Sequence, residues 1–212
     1  MKNHMMQRWA DLTSGSPASP SMCLRVYDAI KSQYDGAGRH YHSFDHIDRV
    51  LTYQEQYFPD APTEVKLALW FHDIVYYPGF KLNERMSAKL MLHLLSAHGP
   101  AAHQVFADDT VVKTAAPLVR ATESHLATDA NSAIVCDLDL LSLAADPEEY
   151  ARGTALIRRE FEQYPDNLWE LGRKIFIERF LARPFIFQTE RMQERYEQVA
   201  RSSLERERAL YT

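Results

Sequence analysis

Cysteine is scarce in this chain. Cys23 and Cys136 are the only two among 212 residues, they stand alone, and neither forms a CxxC pair. That excludes a disulfide scaffold and points to two buried thiols in a reducing compartment. Glycine is also scarce, with seven in all, and no alternating apolar–polar run of useful length occurs, which argues against a β architecture. No apolar run approaches the 18 residues needed to span a bilayer. The segment Met1 to Arg8 lacks the apolar core of a secretory signal. Excess positive charge is missing too: the formal net charge is −5, so no footprint for a nucleic acid polymer or an anionic membrane exists. These absences together predict a cytoplasmic protein. What remains, 46% apolar and 25% charged residues, is the composition of an ordinary globular domain.

The periodicity predicts an all-α chain without internal repeats. Residues 1–21, broken by Ser14-Gly15-Ser16-Pro17-Ala18-Ser19-Pro20, read as a mobile or loosely docked arm with Trp9 as its one anchor. Residues 22–212 read as one domain. Leu24, Tyr27 and Ile30 stripe a helix over about 22–34, ended by Gly36 and Gly38. Arg39-His40-Tyr41-His42 is a connector, and Ser43 caps a second helix reaching Tyr57-Phe58. Thr63 is expected to cap a third helix, Asn83 a fourth over 84–98 stopped by Gly99-Pro100, and a fifth covers about 108–123 around Pro117. Asn131 opens the apolar segment Ala133–Leu143. Asp146-Pro147-Glu148-Glu149 is a helix start combining cap, proline and acids, for a helix reaching about Tyr164. Helices over about 167–182 and 189–208 complete the chain. The last has an amphipathic stripe through Met192, Tyr196, Val199 and Ser203 and a solvated Glu/Arg face.

One stretch stands apart. Leu67-Ala68-Leu69-Trp70-Phe71-His72-Asp73-Ile74-Val75-Tyr76 is apolar except for His72 and Asp73, and reads as a helix buried all round. A carboxylate in such surroundings costs several kcal/mol unless positive charge meets it, and no Lys or Arg lies between Lys66 and Lys81. Neighbouring helical residues point ~100° apart, so a cation between the side chains could engage both. The bland alternative is a core histidine bonded to backbone beside a capping aspartate. Elsewhere, His46 falls in a helix first turn, and Asp137 and Asp139 lie in the apolar segment 133–143. Two imidazoles and two carboxylates suit one divalent ion of intermediate hardness, Mn, Fe, Co or Ni, or Mg with more water.

These residues resemble the HD-domain superfamily of metal-dependent phosphohydrolases, in particular its branch of about 200-residue predicted hydrolases. Asp45-His46-Ile47-Asp48-Arg49-Val50, Trp70-Phe71-His72-Asp73 and Asp137-Leu138-Asp139-Leu140-Leu141-Ser142-Leu143 match the H…HD…D order. Arg39-His40-Tyr41-His42, Asn83-Glu84-Arg85-Met86-Ser87-Ala88, Ala121-Thr122-Glu123-Ser124-His125 and Leu181-Ala182-Arg183-Pro184-Phe185-Ile186-Phe187 match the branch. The likeness covers about residues 22–210. It implies a helical bundle around one metal site held by His46, His72, Asp73 and Asp139. Asp137 and Asp139 lie ~200° apart on a helix, so only one can face the ion; the Leu-x-x-Leu register after Asp139 resembles the family's ligand position.

Further candidates flank these motifs. His42 is a candidate for phosphate contact, His125 for lining the substrate pocket, and Arg39, Lys81 and Arg85 for binding an anionic substrate. Asp73 would act in catalysis as a ligand. Glu84, eleven residues after the pair and opening a helix, is the candidate general base; some nucleotidase relatives carry a Glu three residues after the HD aspartate, where this chain has Tyr76. His93, His98 and His103 show no partners and read as solvent-facing. The implied function is hydrolysis of a small phosphorylated compound, such as a nucleotide, by metal-activated water. The alternatives are a regulatory module that keeps the metal without turnover, and an iron oxygenase, which would need a second metal and ligands the chain lacks. Nothing in the sequence selects between monomer and homodimer.

Overall fold

The computed structural model describes residues 2–96, 105–107 and 109–211. Among them are ten α-helices and no strand. They are α1 (Lys2–Leu12), α2 (Pro20–Tyr34), α3 (Phe44–Tyr57), α4 (Thr63–Phe71) and α5 (Asn83–Leu95). After these come α6 (Asp109–Ala121), α7 (Ala130–Leu140), α8 (Pro147–Glu160), α9 (Asp166–Leu181) and α10 (Glu190–Arg208). None of the helices is long and apolar enough to cross a membrane. The expected stop at Gly99-Pro100, and His98 and His103, lie outside the described residues.

The bundle is built around α4. Val65, Leu67, Ala68, Leu69, Trp70 and Phe71 are all buried, and the helix packs against α1, α3, α5, α6 and α7. Each large apolar side chain moved out of water there contributes ~1.5–3 kcal/mol, which explains why the most apolar run of the sequence takes the centre. The helix stops at Phe71, with His72 as its C-cap, rather than running on to Tyr76. A helix end leaves its last carbonyls unpaired, and here side chains from other elements take the following backbone. Arg39 donates to the carbonyls of Asp73 (2.6 Å) and Ile74 (2.8 Å). Ser87 pairs with both backbone groups of Val75, and Asn83 with both of Tyr77. These bonds turn the chain sharply after the His-Asp pair. A turn through Pro78 and Gly79 follows, with Gly79 at φ +79°, a conformation that costs little without a Cβ.

Three caps differ from expectation. Asn83 is the first residue of α5, not its cap, because its amide is committed to Tyr77. Thr63 likewise begins α4 behind Pro62. The cap of α7 is Asp129, which forms a reciprocal box with Ser132, so Asn131 sits inside the helix. Asp146 caps α8 by accepting from the amides of Glu148 and Glu149, as the sequence indicates. That helix ends at Glu160 instead of Tyr164, where Arg158 turns to the carbonyls of Phe161 and Tyr164. In α10 the buried stripe is Met192, Ala200, Ser203, Leu204 and Glu207, and Val199 is exposed.

The amino-terminal segment is the largest departure. Where an arm without helix was expected, α1 lies against α2 and α4, and Met5 and Trp9 are buried. Trp9 donates from its indole to the Cys23 carbonyl (2.9 Å) and meets Trp70 edge-on at 5.4 Å. Arg8 reinforces the contact through Glu55 and Asp48. One anchor therefore became a docked helix, because Trp9 brings Met5, one turn away, into the same core. Replacing a buried tryptophan by alanine typically costs ~3–5 kcal/mol. Trp9→Ala should lower the stability measured by denaturant unfolding by that amount, whereas a loose arm would leave the midpoint unchanged.

Candidate metal centre

His46, His72, Asp73 and Asp139 come from α3, the end of α4 and α7, and their ligand atoms all lie within 4.8 Å of one another. His46 Nε2 is 3.1 Å from His72 Nε2, 3.5 Å from Asp73 Oδ2 and 3.4 Å from Asp139 Oδ1. His72 Nε2 is 3.2 Å from Asp73 and 3.3 Å from Asp139. Both imidazoles are buried, and the carboxylates keep a narrow exposure. The protein side of the centre is thus sealed, with an opening on the acid side.

The electrostatics call for positive charge. With both acids ionised and both imidazoles neutral, the group carries two negative charges in a nearly dry setting. Burial alone would favour neutral acids, but the charge of His72 beside them holds Asp73 and Asp139 below the usual carboxylate range. Burial would also deprotonate His72, yet the two carboxylates outweigh it and raise the imidazole well above its ordinary value. His46 goes the other way, lowered chiefly by burial. In the absence of a metal, a proton on His72 is the positive charge the acids retain.

The donor set fits a divalent cation. Donors ~2.1 Å from an ion lie ~3.0 Å apart as octahedral neighbours and ~3.4 Å apart in a tetrahedron; four of the five separations above fall in that range, and the fifth, His46 to Asp73 at 3.5 Å, lies just beyond it. His72 Nδ1 lies 3.0 Å from the Leu69 carbonyl; donating there leaves a lone pair on Nε2, the arrangement that orients a ligating histidine. His46 is less well supported. Its Nδ1 is the one buried side-chain nitrogen or oxygen without a hydrogen-bond partner among the described residues. Ligation through Nε2 would leave that Nδ1 proton without a protein acceptor, a cost of ~1–3 kcal/mol, small beside what two carboxylates gain from a dication.

Asp137 faces elsewhere. Its oxygens accept from the amides of Gln188 (2.6 Å) and Thr189 (2.7 Å) and from the Thr189 hydroxyl (2.7 Å), so it ties α7 to the start of α10. Burial pushes its carboxyl up to about 6 against the pull of those donors.

The remaining candidates divide. His42 and His125 lie beside the centre: His125 Nε2 is 2.9 Å from Asp139 Oδ2, and both histidines line the same cavity. Arg39 is corrected from anion binder to scaffold, since its terminal nitrogens go to the carbonyls of His42, Asp73 and Ile74. Arg85 is exposed and paired with Glu123, and Lys81 is exposed; neither lines the cavity. Glu84 is half-buried, and no hydrogen bond joins its side chain to the centre. Its carboxyl is raised first by burial and then by the charge of Asp73. His93 is exposed, as expected.

Sequence reasoning missed Glu160. This buried carboxylate accepts from the amides of His40, Tyr41 and His42 at 2.7–2.9 Å and from His42 Nδ1 at 2.6 Å. His42 in turn stacks on Tyr76 at 4.0 Å. Burial works against a charged imidazole, but the bond to Glu160 and the nearby acids raise His42 above its ordinary value. Glu160 is 118 residues from His42, and the only signal in the sequence was an acid ending an amphipathic helix.

The two aspartates of α7 should separate cleanly. Asp139→Asn is expected to lose most bound metal. Asp137→Asn should retain it while losing ~1–3 kcal/mol of stability, because an amide nitrogen would face a donor. Metal content by elemental analysis and thermal unfolding of both variants check this; metal loss in Asp137→Asn alone would reverse the assignment.

No family model, curated protein or solved structure matches the chain.

Proposed function

We propose that this chain is a metal-dependent phosphohydrolase of the HD type. The observation that supports the reading best is the convergence of His46, His72, Asp73 and Asp139, in the H…HD…D order of the sequence, beside a cavity of about 630 Å³ that Asp139 lines. His46, His72, Asp73 and Asp139 would hold a divalent ion, which would supply Lewis acidity toward a phosphoryl oxygen and activate water. The chain's own residues do the rest. Asp139 carries two tasks, one oxygen toward the centre and the other on His125, so His125 is placed to meet a phosphoryl oxygen beside it. Arg39 fixes the backbone that carries Asp73.

His42 is the proton carrier in this account, in place of Glu84. Glu160 holds its Nδ1, which leaves Nε2 to exchange a proton with a ligand in the cavity His42 lines. A base or acid held by a buried carboxylate in this way is oriented as well as tuned. The bond to Glu160 and the nearby acids favour the protonated imidazole over the neutral one, which suits His42 to act as the acid that protonates the leaving oxygen. A second reading, a regulatory module that binds metal and ligand without turnover, draws support from Tyr76, which stands where some nucleotidase relatives have a Glu.

Mn- or Mg-loaded protein tested against a panel of phosphorylated metabolites decides between them. Metal-dependent release of phosphate, lost in Asp73→Ala, is the expected result; ligand binding without turnover would favour the regulatory module. For the proton carrier, His42→Gln should keep the metal, lower kcat ~10²–10⁴-fold with little change in KM, and abolish the fall of kcat on the alkaline side. That fall marks deprotonation of a required acid. A kcat within about threefold of the parent, against the usual contribution of such a group, would remove His42 from the mechanism and return Glu84 to it. The pair also links pH to stability: with its folded value raised, His42 stabilises fully below ~6.5 and loses that contribution as pH rises through the folded value.

A further inference from the structure

The cavity beside the centre is larger than a phosphate group requires. It runs from His42, His125 and Asp139 into the space enclosed by α8 and α9 and has a volume of about 630 Å³, within the ~300–1,000 Å³ of pockets that take whole small molecules. Protein interiors are normally filled to crystal-like density, yet these two helices leave the space open. The only residue α8 buries is Glu160, and α9 buries only Arg173, Ile177 and Phe180, none of them in its first seven residues. Several of their other large side chains, among them Leu156, Ile157, Trp169 and Phe176, form the cavity wall instead.

The wall is aromatic, and much of its polar capacity is already used. Tyr41 donates its hydroxyl proton to Ser142 Oγ (2.7 Å), Tyr150 to Glu207 (2.5 Å) and Tyr164 to the Pro78 carbonyl (3.3 Å). Arg173 gives two nitrogens to the Glu207 carboxylate at 2.8 and 2.7 Å. A sugar or polyol in this space would lose its water for few new hydrogen bonds and leave polar groups unpaired. An aromatic body would exchange water for ring faces and gain from the apolar surface covered.

We infer that the site takes phosphate monoesters whose alcohol is a large, mainly apolar aromatic group, with the phosphate at the His-Asp centre and the ring system between α8 and α9. This rests on the phosphohydrolase reading for the fate of the ester, though the binding preference stands without it. Hydrolysis breaks the bond between phosphorus and the alcohol oxygen; water supplies the new oxygen on phosphorus, and the alcohol leaves with a proton, giving inorganic phosphate and the free aromatic alcohol.

The test compares 2-(1-naphthyl)ethyl phosphate with ethyl phosphate, which share a primary alcohol leaving group and differ in the ring. Hydrolysis by the Mn-loaded full chain and calorimetric binding to the same protein are both measured. Gly172 lies on α9 in the cavity wall, and a Cβ there meets nothing within 4 Å, so Gly172→Phe is the substitution chosen to crowd the space, and it carries no helix penalty. The inference expects kcat/KM and affinity to favour the naphthyl ester roughly 10²-fold, from the ring area covered, and Gly172→Phe to cut that preference at least about tenfold by displacing the ring. Equal hydrolysis of both esters would overturn the inference and leave the phosphohydrolase standing. With no hydrolysis of either, a naphthyl preference in binding would uphold the inference and refute the hydrolase, and equal or absent binding would overturn it.

Discussion

Two carboxylates and two imidazoles meet at the end of the most buried helix of this protein, and the group can be held together only by positive charge. Without a cation, a proton on His72 supplies it, at the cost of ionising a fully enclosed imidazole between Asp73 and Asp139. A divalent ion would meet the same demand with twice the charge and would release that proton. The remainder of the structure can be understood as the means of assembling this arrangement and keeping one side of it open.

The assembly relies on backbone held by side chains. The helix α4 must stop at Phe71 for Asp73 to turn toward α7, and it stops because Arg39, Ser87 and Asn83 satisfy the backbone beyond it. Glu160 does the same for the connector 40–42 by collecting three amides and the His42 ring. Asp137 locks the other side of α7 to Thr189, so the two acids of one helix have opposite duties. Each device sits beside the centre rather than in it, and each would shift the four donors if removed. The helices α8 and α9 bring Glu160 to the connector and otherwise leave a cavity between themselves and the core.

Much of this was legible in the sequence, where the signal was local. The apolar run around His72-Asp73 marked the central helix because burial on all sides needs an unbroken apolar stretch. The Asp146-Pro147-Glu148-Glu149 start was legible because cap, proline and acids act within one turn. The ~200° between Asp137 and Asp139 showed that only one of them could face the centre, and the resemblance after Asp139 chose between them. What escaped was decided across the fold. The docking of α1 depends on Trp9 meeting Trp70, which no periodicity within residues 1–21 announces. Arg39 looked like an anion binder because its partners are carbonyls 34 and 35 residues away. Asn83 looked like a cap until a turn six residues earlier claimed its amide. Glu160 was one acid among many until the fold brought three amides to it.

The central claim is that the four donors hold one divalent ion, and anomalous scattering from crystals grown with manganese tests it most directly. The account predicts a single strong peak per chain within ~2.0–2.3 Å of His46 Nε2, His72 Nε2 and one oxygen each of Asp73 and Asp139, with His72 Nδ1 still on the Leu69 carbonyl. A peak coordinated by Asp137 or by surface acids, or none at the four donors at saturating manganese, would contradict it.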